Sequence, residues 1–219
     1  MTLSVPKLRF PTLKPPIALV EKMLDSQNID FHRIATINWE AYPSAPNLRF
    51  RIAYSKDELY VQFEVEEEVV RATYTHDETS KPYEDSCVEF FWIPADDGIY
   101  YNLEFNAIGT LLFEGGPTKA SRHRFGNEVT AQIRRSSTLG RDAFGTKEGP
   151  CSWRLTAAIP LSLFTLSHVS PLEGRKVRAN FYKCGDKLPV PHYVSWSPIN
   201  TEHPNFHTPD FFGTICFTP

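Results

Sequence analysis

The sequence predicts an all-β fold, a two-sheet antiparallel β-sandwich with short helical turns. Three observations carry this. Many short apolar runs alternate with period two, and no long segment has a helical period. Aromatic residues, 16 Phe, 9 Tyr and 4 Trp, suit a pleated surface. Prolines, 18 in all, punctuate the runs and stop strands. With 219 residues and 41% hydrophobic content, residues 1–219 fit one large sandwich domain.

The elements follow in chain order. Residues 1–16, with Pro6, Pro11, Pro15 and Pro16, read as an extended lead-in, because proline removes backbone donors. Residues 17–28 fit one short helix or turn. Leu48–Tyr54 and Leu59–Glu66 flank the polar turn Ser55-Lys56-Asp57-Glu58 and read as a hairpin. Cys87–Ile93 is a strand stopped by Pro94, and Asp96-Asp97-Gly98 turns the chain into its partner, Ile99–Ala107. Leu111–Phe113 follows, then a weaker strand at Val129–Arg135. Trp153–Ile159 is a strong strand closed by Pro160, and residues 161–164 fit a turn of helix. Val177–Cys184, Tyr193–Trp196 and Thr214–Phe217 complete the set.

Composition narrows the function. The net charge of −3 is spread over both signs with no basic stripe, which argues against nucleic acid as a partner. No apolar run approaches a membrane span. Residues 1–9 lack an apolar h-region, so no signal peptide is expected. Cys87, Cys151, Cys184 and Cys216 match no CxxC spacing and read as free thiols, with two disulfides the alternative that an even count permits. Met1 and Met23 lie outside the strands, against Met/His ligation of haem. No cofactor is expected. Asp96-Asp97-Gly98 has the look of a calcium loop without the full pattern; a plain turn explains it, and a structural calcium ion is the lesser alternative. His192, His203, His207 and Asp210 cluster in sequence, but Pro204 interrupts the helical spacing of His203 and His207. They read as loop histidines, with His192 and His207 as candidates to line a site.

The most informative feature is a polar ladder. Side chains of a strand alternate between its faces. Tyr101, Leu103, Phe105 and Ala107 share one face, and Tyr100, Asn102, Glu104 and Asn106 the other. Val177, Ala179 and Phe181 oppose Arg178, Asn180 and Tyr182, and Glu89 stands among apolar neighbours. Arg154, opposite Trp153 and Leu155, is expected on the same polar face. Planar, multidentate donors and acceptors are what fixing sugar hydroxyls requires. The plain alternatives are a solvated outer face or a self-satisfied Arg–Glu network.

The segment Tyr83-Glu84-Asp85-Ser86-Cys87-Val88-Glu89-Phe90-Phe91 resembles the family nine carbohydrate-binding modules, and in particular the family-nine-like proteins of Bacteroidetes. The resemblance continues through Tyr100–Asn106, Ile108-Gly109-Thr110, Trp153, Ile159-Pro160, Asn180–Asp186, His192–Pro198 and Pro209–Gly213, so it spans most of the chain from about residue 40 onward. It implies a DOMON-related β-sandwich that binds a mono- or oligosaccharide end without catalysis. It implies a carbohydrate ligand, export, and polysaccharide-degrading enzymes as the proteins beside which such a module works. Tyr83 and Trp196 take the places of two aromatic rings that clamp a terminal sugar, and Glu89 that of the acid; Tyr83 stands where the family usually has Trp. Glu89, Asn102, Glu104, Asn106, Arg178 and Asn180 are then the expected hydroxyl-binding residues.

Two other readings remain open at this level. A structural or protein-interaction module would have its polar face closed by loops, with no pocket. A glycoside-active enzyme would use Glu89 and Glu104 as a carboxylate pair.

Overall fold

Fourteen strands pair into two sheets. The structure, a computed structural model, describes residues 1–219. The strands are β1 (Thr2–Val5), β2 (His32–Arg33), β3 (Thr36–Ile37), β4 (Asn47–Tyr54), β5 (Glu58–Ala72), β6 (Cys87–Ile93), β7 (Tyr100–Asn106), β8 (Leu111–Gly116), β9 (His123–Arg124), β10 (Arg134–Ser137), β11 (Phe144–Pro160), β12 (Lys176–Cys184), β13 (Tyr193–Ser195) and β14 (Gly213–Phe217). A nine-stranded sheet runs β1-β14-β12-β6-β7-β8-β9, with β13 and β3 branching from β12, and a five-stranded sheet runs β10-β11-β5-β4-β2. All pairs are antiparallel except β1 with β14. No helix is long and apolar enough to cross a membrane.

The inner faces of the two sheets meet in one aromatic-rich core. Phe50 of β4 stacks on Phe181 of β12 with ring centroids 3.6 Å apart, and Phe90 of β6 stacks on the same ring at 5.1 Å. Helix α1 (Ile17–Ser26) covers the outer face of the five-stranded sheet. Its Val20 and Leu24 are fully buried among Ala53, Tyr60 and Ala158. Its apolar stripe therefore finds an outward-facing apolar patch, as an amphipathic helix must.

Four sequence expectations need correction. The lead-in is not merely extended, since Thr2–Val5 pairs in parallel with β14. β5 runs on to Ala72, past the Glu66-Glu67-Glu68 break in alternation, because Glu67 is buried and accepts the Trp153 indole N–H at 2.7 Å. β11 starts at Phe144, where exposed polar residues still pair with the end of β5. Residues 129–135 are not one strand. Asn127–Thr130 forms a short helix, α2, whose start is held by the Gly126 carbonyl accepting the Val129 and Thr130 amides.

β10 then begins with two arginines that clip elements together. Arg134 donates to both oxygens of buried Glu58 at 2.7 and 2.8 Å. Arg135 makes a fork to Asp77 at 3.1 and 2.8 Å, while the Leu111 amide of the opposite sheet donates to the same carboxylate at 2.9 Å. Arg135 also donates to the Gly109 carbonyl at 2.8 Å. Gly109 has φ +81°, and a Cβ there would lie 2.8 Å from the Arg141 guanidinium, so the turn between β7 and β8 requires glycine.

Burial acts to raise the Asp77 carboxyl, and the Arg135 guanidinium with the Leu111 amide overcomes it and holds the group below its ordinary value. A depressed folded-state value contributes stability above the unfolded carboxylate range, and that stability is lost as pH falls through the folded value. Asp77→Asn is expected to cost about 3 kcal/mol near neutral pH, because it leaves a buried guanidinium unpaired. It should also flatten the acid limb of the stability curve, read by urea denaturation between neutral and acid pH. A variant with wild-type stability and an unchanged acid limb contradicts the clip.

Candidate functional site

The site lies on the outer face of the nine-stranded sheet. In register, Cys87 faces Cys184 and Glu89 faces Tyr182 across β6 and β12, while Glu89 faces Glu104 across β6 and β7. The C-terminal segment covers half of this face. Ile199, Phe206 and Phe212 pack with Trp39, Phe91, Tyr100 and Tyr182 in a second apolar cluster, and Phe206 stacks on Tyr182 at 4.2 Å. The uncovered half is a cavity of about 320 Å³. Glu89, Glu104 and Cys184 form its floor, Glu114, Arg122 and Arg124 one wall, Tyr193 and His207 another, with Tyr83 and Asp186 beside them.

The motif Asp85-Ser86 positions this floor. Asp85 is fully buried, and its carboxylate accepts from the Thr73 and Tyr74 amides at 2.8 and 3.0 Å. The Thr73 hydroxyl, Arg71 Nε and Asn106 Nδ2 complete the set at 2.9, 3.2 and 3.0 Å. Ser86 exchanges backbone and side-chain bonds with Arg71. These bonds fasten the end of β5 to the start of β6, across the corner between the sheets. Tyr83 sits just before the corner on the 3-10 turn Pro82–Glu84, half-buried, and Glu89 just after it.

The floor is short of positive charge. Burial pushes the Glu89 carboxyl well up from its ordinary range, against donation from the Cys184 thiol. Burial first, then Glu89 and Glu114, raise Glu104. Arg122 is committed beside them, ion-paired to Glu114 and donating to Asn102 Oδ1 at 3.1 Å. Burial, helped by Arg122 and Lys119, lowers the His207 imidazole to about 2 and leaves it neutral. The cavity therefore combines carboxyl oxygens, a neutral imidazole and a guanidinium edge, a mixture able to accept from and donate to neighbouring hydroxyls.

Three of the eight residues singled out in the sequence line the cavity: Tyr83, Glu89 and Glu104. Asn102 is buried behind them. It donates to Glu104 at 3.0 Å and Glu114 at 3.3 Å, so it orients the acids. Asn106 is spent on the β7–β8 turn, donating to Tyr74 O and Asp85 and accepting from the Thr110 amide. Arg178 donates to the carbonyls of Asp210 and Phe212, and Asn180 brackets Ser197 through its carbonyl and amide. Both tie down the C-terminal segment instead of facing the cavity. Arg154 lies on the other sheet, where it donates to Glu64.

Trp196 points between the sheets. It is 5% exposed and meets Phe50 and Phe181 edge-on at 6.1 and 5.9 Å. A Cβ at Gly213 would fall 2.4 Å from its ring, so the core is shaped around it. The second ring at the cavity is instead Tyr193, three residues earlier and half-buried. Glu114, Arg122, Arg124 and Tyr193 were missed as site residues. Glu114 and Tyr193 sit at strand positions whose partners the sequence does not name, and Arg122 and Arg124 follow a loop with no period.

A wider groove of about 780 Å³ crosses the outer face of the five-stranded sheet. Its polar groups are already paired: Arg49 and Arg154 both bind Glu64, and Arg33 binds Asn47. The Phe31 ring carries the Arg49 and Arg51 guanidinium carbons at 4.1 and 4.5 Å. The smaller cavity has the less committed chemistry.

Trp196→Ala is expected to cost about 3–5 kcal/mol of stability, as truncation of a buried aromatic does. Asp85→Ala should cost about 3 kcal/mol by stranding buried donors. Chemical denaturation checks both. Trp196→Ala with unchanged stability is incompatible with the core position.

Carbohydrate-binding family 9 matches residues 18–217. Among solved structures, a protein of Bacteroides uniformis described as a candidate carbohydrate-binding protein shares 41% identity, with 99% of this chain and 98% of that chain covered and a TM-score of 0.94. A family 9 carbohydrate-binding module of Caldicellulosiruptor kristjanssonii in complex with cellotriose superposes with a TM-score of 0.62 at 15% identity, covering 100% and 94% of the two chains. Its complex with glucose gives 0.57 at 16% identity, covering 100% and 96%; at these identities both show the shared fold alone. No curated protein matches the chain. Two sheets stacked on one aromatic core, and a match over nearly the whole length, lead to one assignment: the chain belongs to carbohydrate-binding family 9.

Proposed function

We propose that this protein binds the end of a carbohydrate chain, without catalysis, in the cavity over Glu89 and Glu104. The observation that carries the reading is the cavity itself. On a sheet face otherwise sealed by the C-terminal segment, it leaves an opening of about 320 Å³ bordered by two half-buried tyrosines and floored by multidentate polar groups. Membership of family 9 supports the ligand class. The relatives bound to cellotriose and glucose make gluco-configured sugars the first to test.

In this reading Tyr83 and Tyr193 offer ring faces to the C–H surfaces of a sugar. Glu104, Glu114, Arg122 and His207 take its hydroxyls, with charge-assisted bonds the strongest among them. Asn102 holds the acids in place. Glu89 and Glu104 rise side by side from one floor, so both reach a ligand from the same side. A glycosidase pair instead flanks the scissile bond, and this arrangement favours binding over hydrolysis.

The test is titration calorimetry with glucose, cellobiose and cellotriose, then with wider plant and host oligosaccharides at millimolar concentration. Tyr83→Ala, Tyr193→Ala and Glu104→Gln should each weaken binding by about 10-fold or more, near 1.4 kcal/mol per decade. Arg178→Ala should leave affinity unchanged, since its side chain serves the C-terminal backbone. Wild-type affinity in both tyrosine variants rules out this cavity. Absence of binding across the whole panel moves the reading to a protein-interaction module.

A further inference from the structure

In the floor of the proposed sugar cavity, Glu89 stands beside two cysteines that sugar binding does not use. Cys87 and Cys184 face one another in register across β6 and β12. Glu89, two residues beyond Cys87, projects from the same face. The Cys184 Sγ lies 3.1 Å and the Cys87 Sγ 3.9 Å from Glu89 Oε1, and the three atoms all lie within 4.8 Å of one another. All three residues are buried, at 0%, 2% and 2% exposure.

Two features set this group apart from ordinary core thiols. The first is the carboxylate. A buried acid is normally held by strong donors such as arginine or backbone amides. Glu89 has only the two thiols, which are weak donors. Arg122, which lines the same cavity, is engaged by Glu114 and Asn102. The second feature is the spacing. A tetrahedral zinc ion, with bonds of about 2.3 Å to sulfur and about 2.0 Å to oxygen, sets sulfur and oxygen ligands about 3.5 Å apart. The two observed sulfur–oxygen distances lie on either side of that value.

We infer that Cys87, Cys184 and Glu89 form a binding site for one soft divalent cation of the zinc class, with its fourth position open to the cavity. Two thiolates select zinc or cadmium over calcium or magnesium, which prefer oxygen. Three protein ligands with one place left for water or a ligand oxygen is the arrangement of an accessible zinc site. The open position follows from the lining of the cavity, which includes Glu89 and Cys184 but not Cys87. On binding, the cation replaces the two thiol protons and the proton carried by the Glu89 carboxyl, and all of them pass to solvent. The site differs from the Asp96-Asp97-Gly98 turn, where Asp97 Oδ1 accepts the Ile99 amide at 3.0 Å. It stands independently of the sugar reading, because its test involves no glycan.

The test uses the full chain, reduced with a phosphine and stripped of metal. Zinc is titrated against a chromogenic chelator, and cobalt is added separately for its spectrum. One equivalent of zinc and a thiolate-to-cobalt charge-transfer band are expected. Cys87→Ser and Cys184→Ser should each weaken zinc binding at least about 10-fold and diminish the band. The double variant Cys151→Ser/Cys216→Ser should keep both. No uptake by the reduced wild type, or uptake indifferent to Cys87 and Cys184, overturns the site; the second outcome places the metal elsewhere on the chain. If the Cys87 and Cys184 variants fail to fold, the cobalt spectrum of the double variant decides, since only those two thiols remain: a charge-transfer band supports the site and its absence overturns it.

Discussion

Asp85 sits where the chain passes from one sheet to the other, and its side chain has no contact with water. Its two oxygens accept five hydrogen bonds, from Arg71, Thr73 twice, Tyr74 and Asn106. A buried carboxylate is tolerated only when its lone pairs are this completely used. The same saturation makes it a rigid joint. Tyr83 lies two residues before it and Glu89 four residues after, so cavity rim and cavity floor are set by one corner. Asn106, joined to that corner, also fixes the tight return from β7 to β8 that sets Glu114 opposite Asn102, diagonal to Glu104.

The outer face of the nine-stranded sheet is then divided by chemistry. Phe91, Tyr100 and Tyr182 make an apolar half that water would leave exposed at a cost, and Ile199, Phe206 and Phe212 cover it. Arg178 and Asn180 hold that cover by its backbone carbonyls and amides. Glu89, Glu104 and Asn102 make a polar half that an apolar cover could not satisfy. The cavity exists because the covering segment stops where its own apolar residues stop matching the sheet.

This division explains what could be read from the sequence. Strand alternation identified the outward residues of β6, β7 and β12, since period two follows from backbone geometry alone. It could not say which outward residues face solvent, a ligand or another segment. Asn106, Arg178 and Asn180 have the residue types of a binding site, yet their partners are backbone groups 4 to 34 residues away and, for Asn106, also the Asp85 carboxylate. Trp196 was misassigned for a related reason. Between two serines and before a proline it has the local look of an exposed loop. Its burial depends on Phe50, more than a hundred residues earlier, and on the space left by Gly213. Arg154 shared the alternation of the polar ladder but belongs to the other sheet, and sheet membership is a property of long-range pairing. The fold was legible because it rests on repeated local signals. Half the site was not, because it rests on single contacts between distant segments.

The polar half carries an electrostatic tension that shapes any ligand it takes. Glu89 and Glu104 are neighbours in register and Glu114 lies close by, while Arg122 is the one cation directly hydrogen-bonded within the group. Burial favours the protonated forms of Glu89 and Glu104, and the nearby charge of Asp186 adds to it at Glu89, that of Glu89 and Glu114 at Glu104. A ligand that brings hydrogen-bond donors, as a polyol does, relieves this. An anionic ligand aggravates it on the floor, whatever Lys81, Lys119 and Arg124 offer at the wall and rim. In the proposed reading, neutral sugars, which bring donors and no charge, are the ligands that suit this field.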